Sequence, residues 1–225
     1  MKKFTLIELL VVVAIIGILA SLLLPSLGRA RRSAQIAVCI SQLKQTNIGL
    51  VGYLDDNDSR FPFLLPPGGD PHSGRHWLGK KGDSAKFAAD VTERPLNQYF
   101  NAHEDGSEVK VAECPNDAGE YTSAGTSYMA SGRNNVDDDL DWATEGATLS
   151  SISEPVRMVS ISETGAWHWA DDAANPWAGY TQNHESGKAN YTFSFIDGHA
   201  RYLKNIQGKE GIGWHSSRFT FSNSN

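Results

Sequence analysis

The amino-acid sequence predicts an α+β fold in which one long N-terminal helix packs on a small antiparallel sheet with loop-rich insertions. An almost unbroken apolar run covers residues 4–24, and after Pro25 a proline-free stretch keeps helical spacing. Residues 157–162 and 190–196 alternate apolar and polar side chains, which is typical of half-buried strands. The 21 glycines occur without any repeat and indicate many turns.

Length and charge limit the function classes. The chain has 225 residues and a formal net charge of −6, which gives no indication of nucleic-acid binding. The part beyond the first apolar run is long enough for one domain of ordinary size. We therefore expect residues 57–225 to form a single α+β head domain.

The apolar run of residues 4–25 is long enough to cross a bilayer, since a spanning helix needs about 20 mostly apolar residues. Glu8 lies inside it. A carboxylate within a membrane helix costs about 2.5–3.5 kcal/mol and is expected to have a functional partner. A secretory signal peptide would have a shorter apolar core, and a plain membrane anchor would not explain Glu8.

The same segment resembles the N-terminal segment of type IV pilins and type II secretion pseudopilins. The matching residues are Phe4, Thr5, Leu6, Ile7, Glu8, Leu9, Leu10, the Val/Ala/Ile run that follows, and Pro25. The resemblance implies a precursor held in the inner membrane, with its head in the periplasm, that polymerises through its helix into a pilus or pseudopilus filament. It also implies that Glu8 pairs with the N-terminal amine of a neighbouring subunit, which would supply the cation that a buried carboxylate needs.

Further partners follow from this resemblance. They are other copies of the chain or other pilins, a prepilin peptidase that removes the leader of residues 1–3 and methylates Phe4, and an inner-membrane assembly platform with its ATPase. Processing is thus assigned to Lys3 and Phe4, and assembly to Glu8 and Pro25. Lys3 stands where the related proteins usually have glycine. We expect a structural subunit with no enzyme activity, no catalytic residue and no cofactor.

Residues 26–56 are expected to extend the helix as its amphipathic half. Apolar side chains recur at steps of three and four on one face, and we place Gln35 and Gln42 on the opposite, polar face. With the apolar run, this gives one helix of about 75 Å at 1.5 Å per residue. Pro25 should kink or loosen it, and residues 55–58 followed by Pro62 should end it.

The two cysteines of the chain are candidates for a disulfide. Cys39 lies on the predicted helix, and Cys114 lies in a Glu-Cys-Pro-Asn-Asp loop. A disulfide is permitted if the head is exported, and closing a loop of this length contributes roughly 4 kcal/mol in the chain-entropy model. Two free thiols, one of them buried in the helix interface, are the alternative; we favour the disulfide.

An acidic stretch raises the question of calcium. Asp137, Asp139 and Asp141 alternate, and closely spaced oxygen ligands suit Ca²⁺. The glycine and final glutamate of an EF-hand loop are not in place. We therefore favour a solvated acidic loop over a calcium site.

An aromatic and acidic loop provides a second function hypothesis. Aromatic side chains next to carboxylates are suited to bind a sugar or a protein partner, so the chain could be a membrane-anchored surface binding module. Tryptophans that cap their own core are the more frequent case. The candidate ligand residues are Trp167, Trp169, Asp171, Asp172 and Trp177.

Residues 184–203 contain a second motif. The strands 190–196 and 199–203 are separated by Asp197-Gly198, which predicts a two-residue type I′ hairpin turn. His184 and Asn190 with this turn resemble the C-terminal motif of a bacterial group of prepilin-like proteins abundant in planctomycetes. Twelve residues separate His184 from Asp197, whereas that motif has nine.

Three further matches to the same group lie in order along the chain. They are Leu-Lys-Gln at 43–45, Cys-Pro-x-Asp at 114–117 and Ser-Tyr at 127–128. His184, Glu163, Asp197 and His199 are residue types that act in acid–base chemistry. Because no nucleophile elbow, phosphate loop or zinc motif accompanies them, we interpret them as structural.

The N-terminal assignment predicts that the assembled protein begins with Phe4, methylated on its amine. Mass spectrometry of the N-terminal peptide from native filaments checks this prediction. Recovery of a peptide that still begins with Met1 would contradict it.

Overall fold

The computed structural model describes residues 5–62, 77–84, 89–104, 106–117, 119–130, 148–152, 155–156, 158–166 and 190–204. The predicted α+β arrangement is confirmed, since a long N-terminal helix lies against a four-stranded antiparallel sheet. Helix α1 spans Leu6–Asp56 and α2 spans Glu120–Ala124. The strands are β1 (Tyr128–Ala130), β2 (Val159–Glu163), β3 (Asn190–Phe195) and β4 (Ala200–Lys204), and the sheet order is β1-β2-β3-β4.

Helix α1 is continuous through Pro25, so the proline does not break it. The helix ends where the sequence predicts, with Asn57 as its C-cap. Asp58 and Ser59 then take positive φ angles of 51° and 56°. The Ser59 amide donates to the carbonyl of Leu54 at 2.8 Å, which satisfies one of the carbonyls left free at a helix end.

The two halves of α1 differ in burial. Cys39, Leu43, Leu50 and Leu54 are buried against the head and belong to its main core, and each fully buried leucine contributes about 1.5–3 kcal/mol. The apolar residues of the first half are exposed. The described part of the head therefore covers the distal half of the helix.

Short 3₁₀ turns line the distal half of α1. Tyr99 and Phe100, from the turn Asn97–Phe100, pack over Gly49 and Gly52. A Cβ added at Gly49 would lie 2.6 Å from a ring carbon of Phe100, so glycine allows this close approach. A second 3₁₀ turn, Val91–Glu93, lies just before Pro95.

The hairpin β3–β4 is confirmed, but its turn differs from the predicted type. The Gly198 amide donates to the Phe195 carbonyl at 2.9 Å, and the Phe195 amide donates to the His199 carbonyl at 2.9 Å. Gly198 has φ +92°, whereas Asp197 is not among the described residues with positive φ. The connection is thus a three-residue loop over 196–198 with glycine in the left-handed position, not a two-residue type I′ turn.

The strands β2 and β3 are buried on both faces, which corrects the prediction that they are half-buried. Tyr191, Phe193 and Phe195 form a second apolar cluster with Val159. Among the buried polar side chains of these strands, that of Ser160 hydrogen-bonds with a polar residue of α1.

That residue is Asn47, which is 3% exposed. Its Nδ2 donates to the carbonyl of Phe195 at 3.1 Å, and its Oδ1 accepts from the Ser160 hydroxyl at 2.9 Å. The Ser160 hydroxyl also lies 3.0 Å from that of Ser194. Buried polar groups need such partners, so this network fixes where the helix sits along the sheet.

We predict that Asn47→Ala lowers the free energy of unfolding by about 2 kcal/mol, because it removes two buried hydrogen bonds, one to the Phe195 carbonyl and one from the Ser160 hydroxyl, each worth about 1 kcal/mol. Denaturant titration of the full chain in detergent measures the change. The matched control is Gln45→Ala on the same helix, because the exposed Gln45 amide reaches only to Ser41; its effect should stay within about 0.5 kcal/mol. Equal losses in both variants would contradict the account.

Candidate functional site

The first candidate site is the apolar first half of α1, residues 5–27, here called the assembly segment. Fifteen large apolar side chains from Leu6 to Leu27 are between 46% and 82% exposed. The helix is long and apolar enough to cross a membrane, and exposed apolar surface on this scale marks a site of contact with lipid or protein. The segment is thus compatible with a membrane anchor.

Glu8 is held by the start of its own helix. The backbone amide and the hydroxyl of Thr5 donate to Oε2 of Glu8 at 2.8 Å and 2.7 Å, and the Glu8 amide donates to the Thr5 hydroxyl at 3.3 Å. This is a capping box, which joins the first turn reciprocally. The Thr-x-x-Glu spacing of this capping box is visible in the sequence.

Pro25 lies inside the helix beyond the assembly segment's centre. Proline has no backbone N–H, so the turn around it lacks one helical hydrogen bond. The hydroxyls of Ser21 and Ser26 donate to the carbonyls of Ile18 and Leu23, at 2.7 Å and 2.8 Å. The helix is thus a rod with one weakened turn between its two halves.

The second candidate site is the helix–head junction, where the distal half of α1 meets the head. Gln42 Nε2 donates to the carbonyls of Lys110 and Glu113 at 3.0 Å and 2.8 Å, and the Tyr128 hydroxyl donates to Gln42 Oε1 at 2.7 Å. The Gln35 amide donates to the carbonyl of Pro115 at 3.2 Å. The placement of Gln35 and Gln42 on an outer polar face was therefore wrong, because carbonyls of the head supply their partners.

Cys39 and Cys114 meet in this junction. They are 0% and 1% exposed, and their sulfur atoms lie 2.6 Å apart. The Cys114 amide donates to the Ser127 hydroxyl at 3.0 Å, which holds the loop against β1. The structure therefore brings together the two residues of the predicted disulfide, and the disulfide itself stays a prediction.

Glu163, at the end of β2, completes this cluster and is fully buried. Its Oε1 accepts from the Cys114 sulfur at 3.7 Å, and its Oε2 accepts from the Thr192 amide at 3.2 Å. The two sulfurs and the carboxylate lie within 4.8 Å of one another, close enough to hold a metal ion. Sequence reasoning considered Glu163 only for acid–base chemistry, because its distance along the chain hides its contact with Cys114.

The electrostatics of the cluster disfavour a thiolate. The hydrogen bond with Cys39 raises the pKa of the Cys114 thiol well above its usual range, and burial and the nearby charge of Glu163 raise it further. A reactive cysteine needs the opposite surroundings, an accessible position near positive charge. The pair is therefore suited to a structural role and not to nucleophilic catalysis.

In the C-terminal hairpin motif, Asp197 and His199 contact each other within the β3–β4 turn. Asp197 Oδ1 accepts from the His199 amide at 3.2 Å and lies 2.5 Å from its Nδ1. The His199 ring stacks on Phe195 with 4.1 Å between ring centres. Asn190 begins β3 and pairs with Lys204 of β4. These contacts account for Asp197, Gly198 and His199 by the geometry of the turn.

The remaining predicted site residues lie outside the described part of the chain. They are Lys3 and Phe4 of the processing site, Asp137, Asp139 and Asp141 of the calcium hypothesis, Trp167, Trp169, Asp171, Asp172 and Trp177 of the aromatic loop, and His184 of the hairpin motif. The predictions that concern them stay predictions.

Comparison with known protein families, with curated proteins and with solved structures finds no match for this chain.

We predict that Tyr128→Phe lowers the free energy of unfolding by about 1–2 kcal/mol, because it leaves the Gln42 carbonyl oxygen without its donor in a buried junction. Denaturant titration again measures the change. Tyr99→Phe is the control, since it removes an equivalent hydroxyl whose bond to Asp56 is exposed; its effect should be about 0.5 kcal/mol or less. A larger loss for Tyr99→Phe would contradict this assignment.

Proposed function

We propose that the chain is a structural subunit of a filament of the type IV pilus or type II secretion pseudopilus kind. Before assembly it is anchored in the inner membrane by the assembly segment, with its head in the periplasm. It then polymerises through α1 with other copies or other pilins. The observation that supports this most is the contrast along one helix, whose distal half is covered by the head while its apolar first half is bare.

The energetics of the bare half favour assembly or lipid. Each large apolar side chain gains about 1.5–3 kcal/mol when it leaves water, and fifteen such side chains lie on the assembly segment. The head leaves them free, so lipid or the helices of other subunits must cover them. The apolar side chains are out of water both in the membrane and in the filament. Most of the free energy gained by leaving water is therefore kept when the helix moves from lipid into the filament.

In this proposal, Glu8 determines which contact the assembly segment makes with a neighbouring subunit. In a single subunit, the capping box with Thr5 satisfies part of the carboxylate. Removal of residues 1–3 would create a new amine at Phe4, one residue before the cap. The Phe4 amine of a neighbour then supplies the positive charge for Glu8 in the filament core, where an unpaired carboxylate would be costly.

The proposal includes the machinery that such a filament needs. A prepilin peptidase cleaves before Phe4 and methylates it, and an inner-membrane platform with its ATPase drives assembly. The subunit itself has no enzymatic role and no cofactor. Its head faces the periplasm before assembly and the surface of the filament afterwards.

We predict that Glu8→Gln abolishes filaments while the head stays folded. The loss of one partner of a buried ion pair costs about 3 kcal/mol, which is roughly a hundredfold in the assembly constant. Electron microscopy of the producing cells counts the filaments, and thermal unfolding of the purified chain reports on the head. Glu104→Gln, an exposed acid of the head, is the matched control and should assemble normally.

Two outcomes would overturn the proposal. Filaments at normal abundance from Glu8→Gln would show that Glu8 is not the assembly contact. A wild-type chain that is membrane-bound but never polymerises would favour the alternative, a membrane-anchored surface binding module that uses the loop of Trp167 and Trp177.

A further inference from the structure

We propose that Cys39 and Cys114 form a disulfide that clamps the head to α1, and that this bond closes before the head packs fully against the helix. The two residues are the only cysteines of the chain and lie 75 positions apart. One is on the helix and the other on the head, so the bond would be a covalent link across the junction. The inference rests on the proposed function in one respect, namely the export of the head into an oxidising compartment.

The positions of the sulfur atoms fit a disulfide better than a metal ion. Two thiolates on a tetrahedral zinc, each about 2.3 Å from the metal, lie about 3.8 Å from one another. The sulfur atoms of Cys39 and Cys114 are 2.6 Å apart, closer than a shared ion allows. A metal ion held with Glu163 as third ligand would require the two cysteines to separate, whereas the bond requires only a small approach.

Burial of the two cysteines beside Glu163 disfavours bond formation in the packed junction. The Glu163 carboxylate lies 3.7 Å from the Cys114 sulfur, in surroundings where all three groups are buried. The hydrogen bond with Cys39 and burial raise the pKa of the Cys114 thiol most, and the nearby charge of Glu163 raises it further. Because disulfide formation begins with a thiolate, the packed dithiol should react slowly and the bond should close while the junction is open.

The completed disulfide places no negative charge beside Glu163. It bears neither a charge nor a titratable proton, so it can lie beside the carboxylate of Glu163, which keeps its bond from the Thr192 amide. The junction is therefore better suited to the oxidised pair than to a thiolate. Burial of both sulfur atoms then shields the bond from reductants.

The oxidation balances with an external disulfide as the oxidant, either a periplasmic thiol oxidase or oxidised glutathione. One cysteine thiolate attacks a sulfur of that disulfide and releases one thiol, which gives a mixed disulfide. The second cysteine, as its thiolate, attacks the mixed disulfide, releases the other thiol and forms the Cys39–Cys114 bond. The chain loses two protons and two electrons, and the oxidant becomes two thiols.

The first experiment determines the state of the cysteines in the full chain purified in detergent. The protein is denatured with N-ethylmaleimide in the absence of reductant, and its intact mass is measured. We expect no modification without reductant and two modifications after reduction. The proposal would be overturned if both cysteines were modified without reductant and the chain also could not be oxidised in vitro. Elemental analysis that finds one zinc ion per chain would overturn it as well.

The same purified chain separates this inference from the proposed function. It is reduced in denaturant and then refolded with oxidised glutathione, without any cellular export. Closure of the bond in vitro in a chain that is reduced in cells would support the clamp and count against export of the head. Failure to close in vitro, in a chain whose two cysteines are also reduced in cells, would overturn the clamp and leave the filament proposal standing.

Order of closure is tested on the reduced chain. When it is refolded before the oxidant is added, bond formation should be at least about tenfold slower than when oxidant is present from the start. Glu163→Gln should reduce this difference, whereas Glu108→Gln should not. Glu108 is an acid of the head that contacts Lys80, Lys110 and Tyr121. If Glu163→Gln fails to fold, the wild-type comparison still decides, because equal rates in both protocols would overturn the order of closure.

Reduction should also lower the melting temperature of the wild-type chain by about 10 °C, as expected for a bridge that closes a long loop. The double variant Cys39→Ala/Cys114→Ala is the control and should melt at the same temperature with and without reductant. Equal melting temperatures for the oxidised and reduced wild-type chain would overturn the clamp.

Discussion

Burial of the distal half of α1 against the sheet is the interaction on which the rest of this structure depends. Leu43, Leu50 and Leu54 enter the core of the head, and each contributes about 1.5–3 kcal/mol. The 3₁₀ turns and the four strands are arranged around this half of the helix. The large apolar side chains of the first half are exposed. One continuous helix thus has a distal half buried against the head and a first half whose apolar surface is available for other contacts.

Polar contacts give this interface its register. Apolar packing alone allows a helix to slide, whereas Gln42 must meet two carbonyls of the head and Asn47 must meet Phe195 and Ser160. A shift by one turn would leave several buried groups unsatisfied, at about 1–3 kcal/mol each. The head therefore holds a fixed position on the helix, which a subunit needs if its neighbours are set by helix packing.

The sequence was sufficient for the parts of the fold that depend on local patterns. The length and end of α1 followed from its apolar run and from residues 55–58, and the β3–β4 hairpin followed from alternation around Asp197-Gly198. Its turn type did not follow, because Asp197 keeps negative φ and makes an extra side-chain bond to His199. Glu163 beside Cys114 and Ser160 beside Asn47 are contacts across long chain separations, which no local spacing indicates.

In the proposed filament, the first half of α1 forms the core and the head stays outside it. An electron cryo-microscopy reconstruction of filaments from the full chain would determine this arrangement. Helices of residues 5–27 from many subunits should pack together along the axis, with Glu8 next to the N-terminus of a neighbour and the heads on the surface. A filament whose core is made of heads, with these helices outside it, would rule the proposed arrangement out.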